Sequence, residues 1–224
     1  MRHELRVLPD ADAVASAGAD VVSSAAHAAV AARGRFTLAV SGGRSPWAMF
    51  ARLAQMEFPW SRTDVYQVDE RVAPIDDADR NLAHLRHSLG DAAATIEAMP
   101  VESSDLDAAA AAYAARLPAA FDLIHLGLGP DGHTASLVPG DSVLEVTDRL
   151  VAPTGGTYQG RRRMTLTYPA LARARQLLWL VTGADKHEPL ARLLAGDATI
   201  PAGRVEAATS LVLADAAAGD ETAP

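Results

Sequence analysis

The chain is 224 residues long, 49% hydrophobic and 21% charged, which is enough to bury a sizeable core and far from the composition of a disordered chain. A net charge of -8 argues against a binder of bulk nucleic acid or of an anionic membrane surface, yet leaves room for a small anion held by a few clustered arginines. The absence of cysteine excludes disulfides, thiolate nucleophiles and cysteine-ligated zinc.

The opening stretch MRHELRVLPDADAV has no continuous apolar run of leader type, and no window approaches the ~18 uninterrupted apolar residues of a membrane helix. A cytoplasmic protein is expected. In chain order, the pattern predicts a helix over Ala11–Ala32, a strand at Phe36–Val40 (FTLAV), a helix over Pro46–Gln55, a strand at Asp64–Val68 and a helix over Asn81–Leu89. A helix over Leu106–Leu117, a strand at Leu123–Leu126, strands at Met164–Thr167 and Leu177–Thr182, a helix over Asp185–Leu194 and a strand at Leu211–Leu213 follow. Strands with little polar alternation are covered on both faces. Strand-then-helix repetition therefore predicts one α/β domain over residues 1–224: a doubly wound, mainly parallel, Rossmann-like sheet with helices on both faces. Thr154–Gly160 (TGGTYQG) reads as a flexible surface loop or lid, and the small, acidic residues 215–224 as a fraying tail.

Directly after FTLAV comes Ser41-Gly42-Gly43-Arg44-Ser45-Pro46. Ser45 is placed as a helix N-cap and Pro46 at the first helical position. Free N–H groups at a helix start favour an anion, and two glycines let an oxyanion approach the backbone. The hydroxyls of Ser41 and Ser45 and the guanidinium of Arg44 add donors, so the segment suits a phosphate. The spacing is not that of a P-loop.

In HLGLGPDGHTASLVPG, Gly127, Gly129 and Gly132 spell G-x-G-x-x-G. Three features oppose a dinucleotide turn. Pro139-Gly140 leaves no room for a long helix, no acidic residue ends a second strand ~20 residues on, and Pro130 removes a backbone donor from the turn. The alternative is that the glycines turn the chain sharply at a strand end while Asp131 and His133 project into the cleft, with His133 as a general base.

Asp69, Glu70 and Arg71 continue the second strand and are expected to point together at the cleft edge. Arg161, Arg162 and Arg163 precede one strand and Lys186 follows another, so Arg163 and Lys186 are placed to close on a phosphate held by SGGRSP. His84 and His87 lack a third metal ligand and read as surface residues, and the three tryptophans read as packing residues.

Taken together, LAVSGGRSP, YQVDERVAP followed by Asn81, DLIHLGLGPDGHTASLVPG, RMTLTYPAL, VTGADKHEPLARLL and IPAGRV resemble the 6-phosphogluconolactonase family, and more distantly the glucosamine-6-phosphate deaminases. The segments keep the family's order from Leu38 to Val205. Arg44 stands where that family usually carries Ser or Thr, Val138 where Phe is usual, and Ala73 precedes Pro74 where proline is common.

The resemblance implies a glucosamine-6-phosphate deaminase-like fold and hydrolysis of 6-phospho-D-glucono-1,5-lactone to 6-phosphogluconate, the second step of the oxidative pentose phosphate pathway. It implies no cofactor, no metal and a sugar-phosphate lactone as partner; the acidic charge makes nucleic acid and membrane unexpected partners, and a monomer or weak homo-oligomer is expected. His133 matches the catalytic histidine. Gly42, Gly43, Arg44 and Ser45 match the phosphate loop, with Gly132 in the histidine turn, Asp69 and Arg71 at the cleft, and Arg163 and Lys186 on the cationic side. Either Asp131 or Asp69 orients the imidazole, and Arg71 or a backbone N–H stabilises the oxyanion. Two other readings remain: an isomerising deaminase using Asp69 as carbon base, and a non-catalytic sugar-phosphate sensor.

Overall fold

The computed structural model describes residues 3–92 and 94–219. The described strands are β1 (Glu4–Leu8), β2 (Phe36–Val40), β3 (Thr63–Gln67), β4 (Asp69–Arg71), β5 (Thr95–Glu97), β6 (Leu123–Gly127), β7 (Val151–Pro153), β8 (Arg163–Leu166), β9 (Gln176–Val181) and β10 (Thr209–Asp215). The helices are α1 (Ala11–Arg33), α2 (Arg44–Leu53), α3 (Asn81–Leu89), α4 (Leu106–Ala114), α5 (Tyr168–Leu171), α6 (His187–Leu194) and α7 (Ala216–Gly219).

Seven strands form one parallel sheet in the order β1-β10-β9-β6-β2-β3-β5. The chain enters the middle of this sheet at β2 and steps outward through β3 and β5. It then returns to the middle at β6 and steps out the other way through β9 and β10. Connections after β2 and β6 thus leave in opposite directions, which opens a crevice at the carboxyl ends of these two neighbours. This is the doubly wound α/β architecture that the alternation of elements predicts.

Strand alternation feeds two cores, one on each face of the sheet. Leu38 and Val40 of β2, Leu123 of β6, and Leu178 and Leu180 of β9 pack with α1 and α2. Ala39, Ile124, Leu126, Leu177, Trp179 and Val181 face the other way, with Tyr113 of α4 and Leu190 of α6. Asp10 starts α1 by accepting a hydrogen bond from the Ala13 amide, and Gly34 ends it in the left-handed conformation at φ 78°. This 23-residue helix, with a mean hydropathy of 1.2 over an 18-residue window, is long and apolar enough to cross a membrane. Its stripe Val14, Ala15, Gly18, Ala19, Val22, Ala26 and Ala29 is spent instead on the sheet.

The structure corrects the sequence reading at two points and extends it at a third. The segment around Met164–Thr167 is a strand, but as β8 it belongs to a separate antiparallel sheet ordered β4-β8-β7. Leu211–Leu213 is the centre of the seven-residue β10, flanked by β9 and by β1. The tail does not fray at 215: the buried Asp215 carboxylate accepts hydrogen bonds from the amides of Gly183 and Ala218, and 216–219 form α7. Residues 220–224 lie outside the described residues.

Candidate active site

The first wall of the crevice is the turn after β2. Helix α2 begins at Arg44 with Gly43 as its N-cap at φ 139°, two residues earlier than the Ser45–Pro46 signal suggested. Ser45 is freed from capping and its hydroxyl shares a 2.8 Å hydrogen bond with that of Thr182, just beyond β9. Gly42 is enforced by close approach, because a Cβ there would lie 2.1 Å from Oδ1 of Asn81. The Ser41 hydroxyl is buried without a partner among the described residues and lines the cavity. Amides at the start of a ten-residue helix have no intrahelical acceptor, so this turn concentrates donors on an anion.

The second wall is the turn after β6. Its closure comes from the Gly129 amide donating to the His133 carbonyl (2.8 Å) and the Gly132 amide to the Gly129 carbonyl (3.0 Å). Gly132 sits at φ 77°, where an L side chain is strained and a Cβ would strike Ile200 at 2.6 Å. A Cβ on Gly129 would fall 2.0 Å from Nδ1 of His133, so the imidazole lies directly over that glycine. Gly129 and Gly132 of this G-x-G-x-x-G therefore place a histidine.

His133 Nδ1 lies 2.5 Å from Oδ1 of Asp131, and the His133 amide donates to the same oxygen at 3.1 Å. Burial opposes ionisation of Asp131, but the hydrogen bond and charge of His133 outweigh it and hold the carboxyl below its ordinary value. With its Nδ1–H committed to Asp131, the imidazole keeps the Nε2 lone pair free to accept a proton. Of the two carboxylates the sequence offered, Asp131 contacts the ring, while Asp69 is engaged by Ser136. Asp131 and Gly132 shape the turn but do not line the cavity, whereas His133 does.

Asp69, Glu70 and Arg71 were expected to face the cleft together, and strand alternation separates them. Asp69 and Arg71 line the cavity. Glu70 points away into the interior, where its carboxylate accepts from the amides of Asn81 (2.9 Å) and Leu82 (2.8 Å) at the start of α3 and pairs with Arg80 at 3.1 Å. Asp69 accepts a 2.6 Å hydrogen bond from Ser136 and lies 3.9 Å from Arg163. Burial raises its carboxyl pKa, with Ser136 and Arg163 pulling the other way. Burial likewise lowers that of Arg163, opposed by Asp69.

Of the three consecutive arginines only Arg163 lines the cavity. Arg161 pairs with Asp77 at 2.7 Å, and Arg162 donates to the Thr154 carbonyl. Lys186 lines the cavity with its Nζ 2.8 Å from Asp185, and the exposed Arg44 lines the mouth. The cavity holds about 450 Å³, ample for a phosphorylated hexose. Among the described residues no group of three or more His, Asp or Glu side chains is arranged as a metal site. His84 stacks on Trp47 at 5.6 Å.

Sequence reasoning assigned no site role to Asn81, Tyr158, Gln159 or Thr182, all of which line the cavity. Asn81 carried a signal, since it follows the DER segment in the resemblance. Tyr158 and Gln159 did not, because TGGTYQG has only the composition of a loop. That loop is well anchored: the Gly155 and Gly156 amides both donate to the Asp141 carboxylate at 2.9 Å, and Arg163 donates to the Tyr158 carbonyl.

A sequence model of the family described as glucosamine-6-phosphate isomerases/6-phosphogluconolactonase matches residues 9–213. The chain is 34% identical to a 6-phosphogluconolactonase of Nostoc, with 99% of each chain covered, and 37% identical to one of Synechocystis, with 88% of each covered. Its fold superimposes on the crystal structure of 6-phosphogluconolactonase from Thermotoga maritima with a TM-score of 0.87 at 25% identity, over 96% of this chain and 100% of that one.

Proposed function

Because the chain belongs to the glucosamine-6-phosphate isomerase/6-phosphogluconolactonase family, we propose that its cleft hydrolyses 6-phospho-D-glucono-1,5-lactone to 6-phospho-D-gluconate, the second step of the oxidative pentose phosphate pathway. The observation that carries this reading is a single cavity lined both by the His133 ring, braced through Nδ1, and by the helix-start turn Ser41–Ser45.

A lactone is an ester, and water attacks its carbonyl carbon only once a base takes a proton. His133 accepts that proton on Nε2 as the water oxygen bonds to carbon, and Asp131 stabilises the imidazolium that forms. Negative charge gathers on the carbonyl oxygen, within a cavity lined by the cationic Arg71. As the ring C–O bond breaks, the imidazolium returns the proton to the departing ring oxygen, giving the open acid. The phosphate, remote from the reacting carbon, is held by Ser41, the turn amides, Arg44, Arg163 and Lys186, and its binding energy fixes the orientation.

The proposed chemistry calls for no cofactor or metal ion, draws every group from one chain, and is set in the cytoplasm. A deaminase reading would use Asp69 as a free carbon base, and the engagement of that carboxylate by Ser136 and Arg163 speaks against it. The test is to generate the lactone in situ with glucose-6-phosphate dehydrogenase and follow its decay against a control without the protein. Wild type accelerates the decay, and His133→Ala loses roughly 100-fold or more in kcat. Near-normal turnover in that variant removes His133 from the mechanism, and ammonia release from glucosamine 6-phosphate would favour the deaminase.

A further inference from the structure

Tyr158 stands in the anchored loop between β7 and β8 and reaches the histidine turn from across the cavity. Its ring meets the His133 imidazole edge-to-face, with centroids 5.0 Å apart and planes at 62°. Its hydroxyl is 3.4 Å from Nδ1. That nitrogen's proton already goes to Asp131, which leaves the neighbouring Asp131 carboxylate, whose charge acts on the phenol, as the acceptor toward which the phenol proton can turn. Burial, and then the Asp131 charge, raise the phenol pKa, and the hydroxyl stays a donor. The Arg163 guanidinium stands over the same ring, 5.4 Å from its centroid. Arg163 also donates to the Tyr158 carbonyl and to the Gln159 side chain, at 3.3 and 3.2 Å. Tyr158 is thus in contact with both a buried arginine and the imidazole.

We propose that Tyr158 is a positioning residue of the hydrolytic site: its ring holds His133 edge-on, and its hydroxyl shares the Asp131 carboxylate with Nδ1–H. The sharing matters because a carboxylate that accepts a second hydrogen bond carries less free charge to support an imidazolium. The phenol thereby tunes how readily His133 takes and releases the proton of water. The inference rests on the proposed role of His133 as base. The other charged groups lining the cavity with His133 are Asp69 and Arg71 from β4, Arg163 from β8, Arg44 from α2 and Lys186 ahead of α6. Tyr158→Phe leaves every one of them in place.

The test pairs an NMR titration of the His133 ring with kinetics on the lactone, for wild type, Tyr158→Phe and Tyr158→Ala. Tyr158→Phe keeps the ring and is expected to raise the His133 titration midpoint by roughly half a pH unit. It should move the acid limb of the kcat/KM profile the same way and lower kcat roughly five- to tenfold, with KM unchanged. Tyr158→Ala, which also loses the ring, should fall further in kcat. A midpoint that stays put or drops in Tyr158→Phe overturns the proposal, since a tyrosine that only packs would be fully replaced by phenylalanine. If wild type failed to turn over the lactone, the proposed function would fall, while the titration would still judge the coupling among Tyr158, Asp131 and His133.

Discussion

The carboxylate of Asp131 lies 2.5 Å from Nδ1 of His133, only two residues further along the same glycine turn. The proposed base and its anchor are thus carried by one short segment and need no long-range packing to meet. Asp131→Asn keeps the shape and removes the charge. It is expected to lower kcat roughly 10- to 100-fold, less than His133→Ala, with KM within a factor of about three. Steady-state kinetics at saturating lactone decides this, and a variant as active as wild type would mean that Asp131 only shapes the turn.

Two glycines of that turn make a matched pair. A Cβ on Gly129 would collide with the His133 ring at 2.0 Å, whereas one on Gly127 meets nothing within 4 Å. Gly129→Ala should therefore lose roughly as much turnover as His133→Ala while still folding, and Gly127→Ala should be active. Circular dichroism and kinetics on the two variants, side by side, check this.

Lys186 lines the cavity next to Asp185, and nothing in the described structure ties it to the core. Lys186→Ala is expected to raise KM for the phosphorylated lactone by roughly tenfold or more, with kcat within about threefold. Arg163 differs, being buried and hydrogen-bonded to the Tyr158–Gln159 loop. Arg163→Ala should raise KM and also lower the melting temperature. An unchanged KM in Lys186→Ala would place the phosphate elsewhere.

His125 makes a prediction about stability alone. It is fully buried in β6 between Val40 and Leu178, edge-on to Phe50, and neither ring nitrogen has a hydrogen-bond partner among the described residues. Burial pushes its pKa from 6.5 down to about 3. Between those values the unfolded chain binds a proton that the folded chain refuses, so stability falls as pH drops below 6.5, by about 1.4 kcal/mol per pH unit from this group. His125→Leu removes that contribution. Denaturant midpoints should show wild type losing about 2 kcal/mol more than the variant between pH 6.5 and 5, and parallel curves would refute it.

Where the sequence was readable, it was so for local reasons. SGGRSP and GPDGH each follow a buried strand that is five residues long in the structure, and in an open parallel sheet strand ends are where functional groups collect. What escaped reading depended on partners far along the chain. β4 and β7 are three residues long, too short to show a period, so the sheet they form with the legible β8 stayed hidden, and β1 is an edge strand whose largely exposed residues give no core signal. Glu70 looked like its neighbours until alternation turned it inward onto α3. Ser45 carried a capping signal that Gly43 took over, because Thr182 from another strand end claimed its hydroxyl. Tyr158 became visible only once β8 brought its loop over the histidine.

The adjacency of β2 and β6 has a kinetic corollary. At the amino ends of these strands, the edge of the sheet opposite the crevice, Thr37 and Asp122 exchange hydrogen bonds across 85 residues of chain, a closure whose entropy must be met before either wall has an opposite. A refolding chain can build its helices, and even pair β2 with β3, without owning a catalytic pocket. Turnover should accordingly return with the slowest structural phase, and stopped-flow traces in which activity preceded burial of Trp179 would argue for a different order of assembly.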